Sequence, residues 1–210
     1  MSAKSLKMFY KPFTETLNAF QPHDHICLIY ESLREWSNVV IQFLLRGLNR
    51  GEKCIYIKNA PISSNIDNFI KSKEENLTEA RNQNNLSIVY INKKYMTEFD
   101  IDWMIAYLIG ETNKAINEGY SALRVTCEMN WAICKQKKFN ILLEYEEKLN
   151  KEFFPKYPCL SLCQYENRKF PPEFIKEVTM AHPFSIQRNC VSLNILYTIL
   201  NPKINKKDKS

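Results

Sequence analysis

Short apolar segments alternate with helix-patterned stretches along most of this chain, and that alternation limits the fold more than any other feature. His25–Tyr30, Cys54–Ile57, Leu86–Ile91, Ala122–Cys127 and Cys159–Cys163 have strand length and are rich in Ile, Val, Leu, Tyr and Cys. Between them, apolar residues recur at helical spacing. Leu33, Trp36, Val39, Val40, Phe43, Leu44 and Leu48 mark one helix, and Ile62, Ile66, Phe69 and Ile70 a second. Ile101, Met104, Ile105, Leu108, Ile109, Ala115 and Ile116 mark a third; further helices are predicted over Phe139–Phe153 and Glu173–Ala181, and a sixth strand within Ser185–Leu196. Strands joined by helices fold as a mostly parallel sheet with helices on both faces, a three-layer α/β sandwich. With 210 residues, 45% apolar and 25% charged, the chain can bury one sizeable core. The expected organisation is a lead-in over 1–20, one domain over 21–200 and a basic tail over 201–210.

The turn after the first strand narrows the chemistry. Tyr30-Glu31-Ser32 runs directly into a helix, and Ser32-x-x-Glu35 is a capping box. The four glycines, at 47, 51, 110 and 119, form neither G-x-x-x-x-G-K-[ST] nor G-x-G-x-x-G, so no loop can bring several backbone N–H groups close to a polyphosphate. Gly47 and Gly51 offer a stop for the helix that Ser32 starts, and Gly119 ends the one that Asp100 or Asp102 caps.

Other classes fall away on composition. No interval approaches the apolar length of a membrane span, and the start of the chain carries no signal-type stretch. The expectation is a cytoplasmic protein with no membrane partner. The net charge of +6 is concentrated in Lys203, Lys206, Lys207 and Lys209, and elsewhere basic residues are mixed with acids, so no nucleic-acid partner is expected. Seven cysteines with irregular spacing read as reduced thiols.

In an open parallel sheet, ligands bind beyond the carboxyl ends of the strands. Tyr30 and Glu31, Asn59, Asn92 and Lys93, Glu128 to Trp131, and Gln164, Tyr165 and Glu166 occupy those ends. Rings with a few polar groups suit a small organic ligand. Tyr30, Trp131 and Tyr165 would supply apolar walls and Glu128 and Gln164 polar orientation, with Glu31 a further ligand-binding candidate beside Tyr30. Packing aromatics and a Glu128–Arg124 salt bridge are the simpler alternatives. At the other end of the first strand, His25 and Cys27 point to one face, a spacing compatible with a thiol–imidazole pair or two metal ligands. Cys163 and His182 are further redox or metal candidates. Without C-x-x-C or H-x-x-x-H spacing, buried structural thiols are the default, and neither a resident metal nor a cofactor is expected. At about 3.3 Å per residue, His25 lies roughly 16 Å from Tyr30, so the two ends serve different purposes. A Cys–His nucleophilic enzyme using Cys27 or Cys163 has no nucleophile elbow in its favour, and the chain is read as non-enzymatic.

His25-x-Cys27-x-x-Tyr30, Gly47-Leu48-x-x-Gly51-Glu52-x-Cys54-x-Tyr56, Arg124-Val125-Thr126-x-Glu128-Met129-x-Trp131-Ala132, Tyr145-Glu146, Leu162-Cys163-Gln164-Tyr165 and His182-Pro183 together resemble the MEDS domain. This is a sensory domain of methanogens and methylotrophs that occurs alone or joined to histidine kinases and transcription regulators. The glycine motif also resembles the RecA-like ATPases related to circadian-clock proteins. The resemblance implies a RecA-like sheet in which Tyr30-Glu31-Ser32 replaces the phosphate loop and Glu128 lies near the position of a metal-coordinating acid. It further implies sensing of a simple hydrocarbon derivative, with the signal passed to a partner such as a histidine kinase or transcription regulator, or through a homodimer. Against it stand a thiol- or metal-based sensor built on His25 and Cys27 and, third, a degenerate RecA-like nucleotide-binding protein.

Overall fold

A computed structural model of the chain describes residues 13–58, 66–69, 75–90, 99–134, 139–195 and 197. Asn59, Asn92 and Lys93, the helix positions Ile62 and Ile70, and the basic tail lie outside these residues. The elements are α1 (Phe13–Ala19), β1 (His25–Tyr30), α2 (Leu33–Asn49), β2 (Lys53–Lys58), α3 (Glu75–Asn82), β3 (Leu86–Tyr90), α4 (Ile101–Asn117) and β4 (Leu123–Glu128). They continue with a 3₁₀ turn (Asn130–Cys134), α5 (Phe139–Lys148), β5 (Cys159–Glu166), α6 (Pro172–Ala181), β6 (Phe184–Gln187) and β7 (Cys190–Leu193). Residues 66–69 form a further helical segment.

The strands form one sheet in the order β3-β2-β4-β5-β1-β6-β7, parallel throughout except for the antiparallel β6–β7 pair. This is the three-layer α/β sandwich that the alternating pattern predicts. All six residues of β1 are buried, as expected of a central strand covered on both faces. On one face, Leu17 of α1, Trp36, Val39, Val40, Phe43 and Leu44 of α2, and Leu77 and Ala80 of α3 pack against Ile26, Leu28 and Tyr30. On the other, Met104 and Leu108 of α4, Leu142 and Tyr145 of α5, and Phe174 and Val178 of α6 pack against Cys27, Ile29, Cys163 and Tyr165. The lead-in is thus partly core: Leu17 and Phe20 are almost fully buried.

Four differences from the sequence pattern have physical causes. β5 continues three residues past Cys163, because Gln164, Tyr165 and Glu166 pair with Leu28, Ile29 and Tyr30 of β1. The predicted sixth strand is a hairpin, turned by Arg188 and Asn189 at φ 52° and 58°, the left-handed pair that a two-residue loop requires. The helix from Phe139 widens into a π turn at Leu149–Phe153, closed by Phe154 N–H donating to the Leu149 carbonyl at 3.0 Å. Gly47 does not stop α2, which runs on to Asn49; Gly51, at φ 67°, lies beyond its end.

Ser32 caps α2, its Oγ accepting from Glu35 N–H at 3.2 Å, while the Glu35 carboxylate accepts from Glu31 N–H at 2.8 Å. The chain's own carboxylate therefore stands at the amino end of α2, where a phosphate would otherwise face the helix. Ser32→Ala is expected to cost about 1 kcal/mol, read as a lower urea midpoint with an unchanged slope.

Candidate functional site

Side chains alternate across a strand, so the extension of β5 separates Gln164 from Tyr165. Two buried polar centres result, one on each face of the sheet.

The first lies beside α2. Gln164 Oε1 accepts from Trp36 Nε1 at 2.6 Å, and its Nε2 donates to Thr126 Oγ1 at 2.7 Å. The Tyr56 hydroxyl donates to Glu128 Oε1 at 2.7 Å and lies 3.4 Å from Gln164 Oε1. Burial and the negative charge of Glu128 push the Tyr56 hydroxyl well above its ordinary pKa, so it remains a neutral donor. Tyr30 sits on the same face, its hydroxyl pushed up by burial and by Glu166 and Glu128. Glu31 accepts from Asn167 Nδ2 at 3.0 Å and ties the end of β1 to the segment after β5. Arg124 pairs with Glu52, not with Glu128.

The second centre lies under α5 and α6. His25 Nε2 is 3.2 Å from Glu146 Oε2 and 3.3 Å from Cys163 Sγ. His182 Nε2 is 3.5 Å from the same carboxylate oxygen, and the two imidazole centroids are 4.1 Å apart. All four residues are essentially excluded from solvent. Tyr165 donates its hydroxyl to the other carboxylate oxygen, Glu146 Oε1, at 2.6 Å. Asn150, carried by the π turn, donates Nδ2 to the Ala181 carbonyl at 2.7 Å, which turns its Oδ1 towards His25 Nδ1 at 2.9 Å. His182 Nδ1 lies 2.7 Å from the Val178 carbonyl, an acceptor only, so that nitrogen carries the proton.

Electrostatics in this centre are strained. Burial pushes the Glu146 carboxyl up, yet the His182 and His25 imidazoles and the Tyr165 hydroxyl hold it below the usual carboxylate range. Burial and the neighbouring His25 lower His182 to about 4, so it is neutral at pH 7. Burial and the Glu146 charge push the Cys163 thiol well above its ordinary value. Cys27 is buried on the same face, in register with Cys163, and is raised by the same two causes. Thiols held protonated in this way are poor nucleophiles. Cys163 and His25 have the spacing of a dyad but no solvent access for a substrate.

The ligand candidates therefore divide. Tyr30, Glu128 and Gln164 share the α2 face, whereas Tyr165 belongs to the histidine centre and Trp131 stacks on Phe99 at 4.1 Å. The second-centre candidates come together except that Cys27 is not among the four converging groups; Glu146 takes that place. Glu146 and Asn150 occupy the stripe set by Leu142, Leu149 and Phe153, and a carboxylate and an amide on an apolar helix face are the signal that reveals them.

No described helix is long and apolar enough to cross a membrane. Among solved structures, the cytoplasmic domain of EssC overlaps 80% of this chain and 33% of its own at 14% identity, with a TM-score of 0.40, a likeness too weak to bear on function. The "Transcriptional repressor DcmR" of Methylorubrum extorquens (strain DSM 6343 / CIP 106787 / DM4) is 25% identical over 161 residues, covering 76% of this chain. The chain spans 58% of that relative's length. A relative named as a transcriptional repressor lends no support to the expectation that nucleic acid plays no part. The model of the MEDS family, described as "MEthanogen/methylotroph, DcmR Sensory domain", matches residues 24–183, and the chain belongs to that family of sensory domains.

Proposed function

We propose that this chain is a non-enzymatic cytoplasmic sensor that binds a small organic molecule at the carboxyl edge of β1, β4 and β5 and passes its occupancy to a regulatory partner. The ligand class is a simple hydrocarbon derivative, and the partner a histidine kinase, a transcription regulator or a second copy of the chain. The observation that carries this reading is the Tyr56–Glu128–Gln164 network beside Tyr30. It sets a carboxylate, two phenols and an amide on one face at the strand ends, where parallel sheets receive ligands. The capping of α2 weighs against the competing nucleotide reading, because two backbone donors at that end, Glu31 N–H and Glu35 N–H, already serve the chain's own Glu35 and Ser32 side chains. Occupancy at this edge would bias the segments following β1, β4 and β5, the change a partner would read.

Thermal-shift measurements with methanol, methylamines, methanethiol and dichloromethane test it. One class should raise Tm by roughly 5–10 °C at about a hundredfold excess over Kd, with no shift from ATP. The shift should vanish in Glu128→Gln and Tyr30→Phe. A shift that persisted in both variants would remove the pocket.

A further inference from the structure

We propose that His25, Glu146, Cys163 and His182 bind one divalent ion of the zinc class. The four candidate ligand atoms lie within 4.8 Å of one another. Metal bonds of about 2.0–2.3 Å at tetrahedral angles place ligand atoms about 3.3–3.8 Å apart. The observed edges from Glu146 Oε2 are 3.2 Å to His25, 3.5 Å to His182 and 3.8 Å to Cys163, and that from His25 to Cys163 is 3.3 Å. Four of the six edges therefore lie in or close to the range of a coordination tetrahedron, and the two from His182 Nε2 to His25 and Cys163 are no longer than 4.8 Å.

The surrounding groups aim the donors inward. Each imidazole is held through Nδ1, by Asn150 Oδ1 and by the Val178 carbonyl, which leaves both Nε2 atoms facing the centre. Tyr165 occupies Glu146 Oε1 and leaves Oε2 for the same space. His182 Nε2 has no hydrogen-bond partner among the described residues although it is fully buried. Two imidazole nitrogens converging on one carboxylate oxygen, one of them with no hydrogen bond, are accounted for by a cation in the space they share. Outer groups of this kind, which fix tautomer and ring orientation, are the usual support of metal-bound histidines.

Charge balance favours a divalent ion. One carboxylate and one thiolate neutralise a charge of +2, and two neutral imidazoles add none, so the filled site carries no net charge into the core. On binding, the Cys163 S–H bond breaks, its electron pair becomes the metal–sulfur bond and the proton leaves to solvent; nothing is oxidised or reduced. Nitrogen, oxygen and sulfur donors together suit zinc, and four protein ligands close the coordination sphere, the pattern of a structural or sensing site and not a catalytic one. The site is separate from the proposed organic-ligand edge, so either proposal can fail alone.

The test is cobalt(II) titration of chelator-stripped full-length chain, both native and refolded from urea with the metal present, since the site is closed to solvent. The expected result is one cobalt per chain, visible bands of a tetrahedral ion, a near-ultraviolet thiolate charge-transfer band, and displacement of all of these by zinc with an increase in Tm. Cys163→Ala should lose the charge-transfer band, whereas Cys190→Ala, at an exposed cysteine, should keep it. Asn150→Ala, which contacts no ion, should weaken binding about 10–100-fold. No cobalt retained by either preparation would overturn the proposal, leaving a proton shared among Glu146 and the imidazoles as the account of the cluster. A band unchanged in Cys163→Ala would overturn it equally.

Discussion

Gly47→Ala is expected to destabilise the protein by about 3 kcal/mol, whereas Gly110→Ala stabilises it by about 1 kcal/mol, although both glycines lie inside helices. Alanine is intrinsically the better helix former, so Gly110, where an added Cβ would meet nothing within 4 Å, shows the propensity gain alone. At Gly47 the same Cβ would stand 2.4 Å from Arg124 Cδ, 2.6 Å from Arg124 Nε and 2.8 Å from Cys54 Sγ. The arginine cannot retreat. Its Nε donates to Glu52 Oε2 at 2.5 Å, its Nη1 donates to the Phe43 carbonyl at 3.2 Å, and its guanidinium lies 4.6 Å from the Phe43 ring centroid. Urea unfolding of the two variants checks the opposite signs; a midpoint that rose in both would show that Arg124 can move aside.

Arg124→Leu should cost about 3–5 kcal/mol, because it strands Glu52 as an unpaired charge in a site that is 3% exposed. Against a total stability of roughly 5–15 kcal/mol for a domain, that loss would leave the variant marginal. Glu52→Leu should be similarly costly for the converse reason. The double variant Arg124→Leu/Glu52→Leu is expected to recover most of the loss, since two apolar side chains leave neither charge to desolvate. A double-mutant cycle in urea measures this coupling; additive single losses would mean that packing around the guanidinium, and not the ion pair, holds this part of the sheet.

The alternation of apolar strands and amphipathic helices made the layers and most strand positions legible. Those features depend on local periodicity, and a period-two or period-3.6 pattern survives in the sequence of each element. What the pattern hid was tertiary. Gly47 read as a helix stop because a glycine demanded by a neighbour 77 positions away looks like one demanded by its own backbone; the distance follows from Arg124 less Gly47. The polar Gln164 ends the apolar pattern of β5 three residues before the strand itself ends, and only the partners Trp36 and Thr126 make a buried amide acceptable there. That boundary then placed Gln164 and Tyr165 in a single pocket, when one step along a strand reverses the face. His25 and His182 are visible as candidates, whereas Glu146 shows only as a carboxylate on the apolar stripe of α5, and its partners depend on a register against β1 and β5 that no local pattern encodes.

The adjacent pair Gln164 and Tyr165 has a genetic consequence. One strand hands each of its two faces a different polar centre from consecutive codons. A substitution at either position can damage one centre and spare the other. Gain or loss of one residue anywhere between Cys159 and Gln164 would rotate both out of place together, turning Tyr165 towards Trp36 and Gln164 towards Glu146. β5 should therefore tolerate changes of letter far better than changes of length, and a deletion scan through it should remove both centres at once.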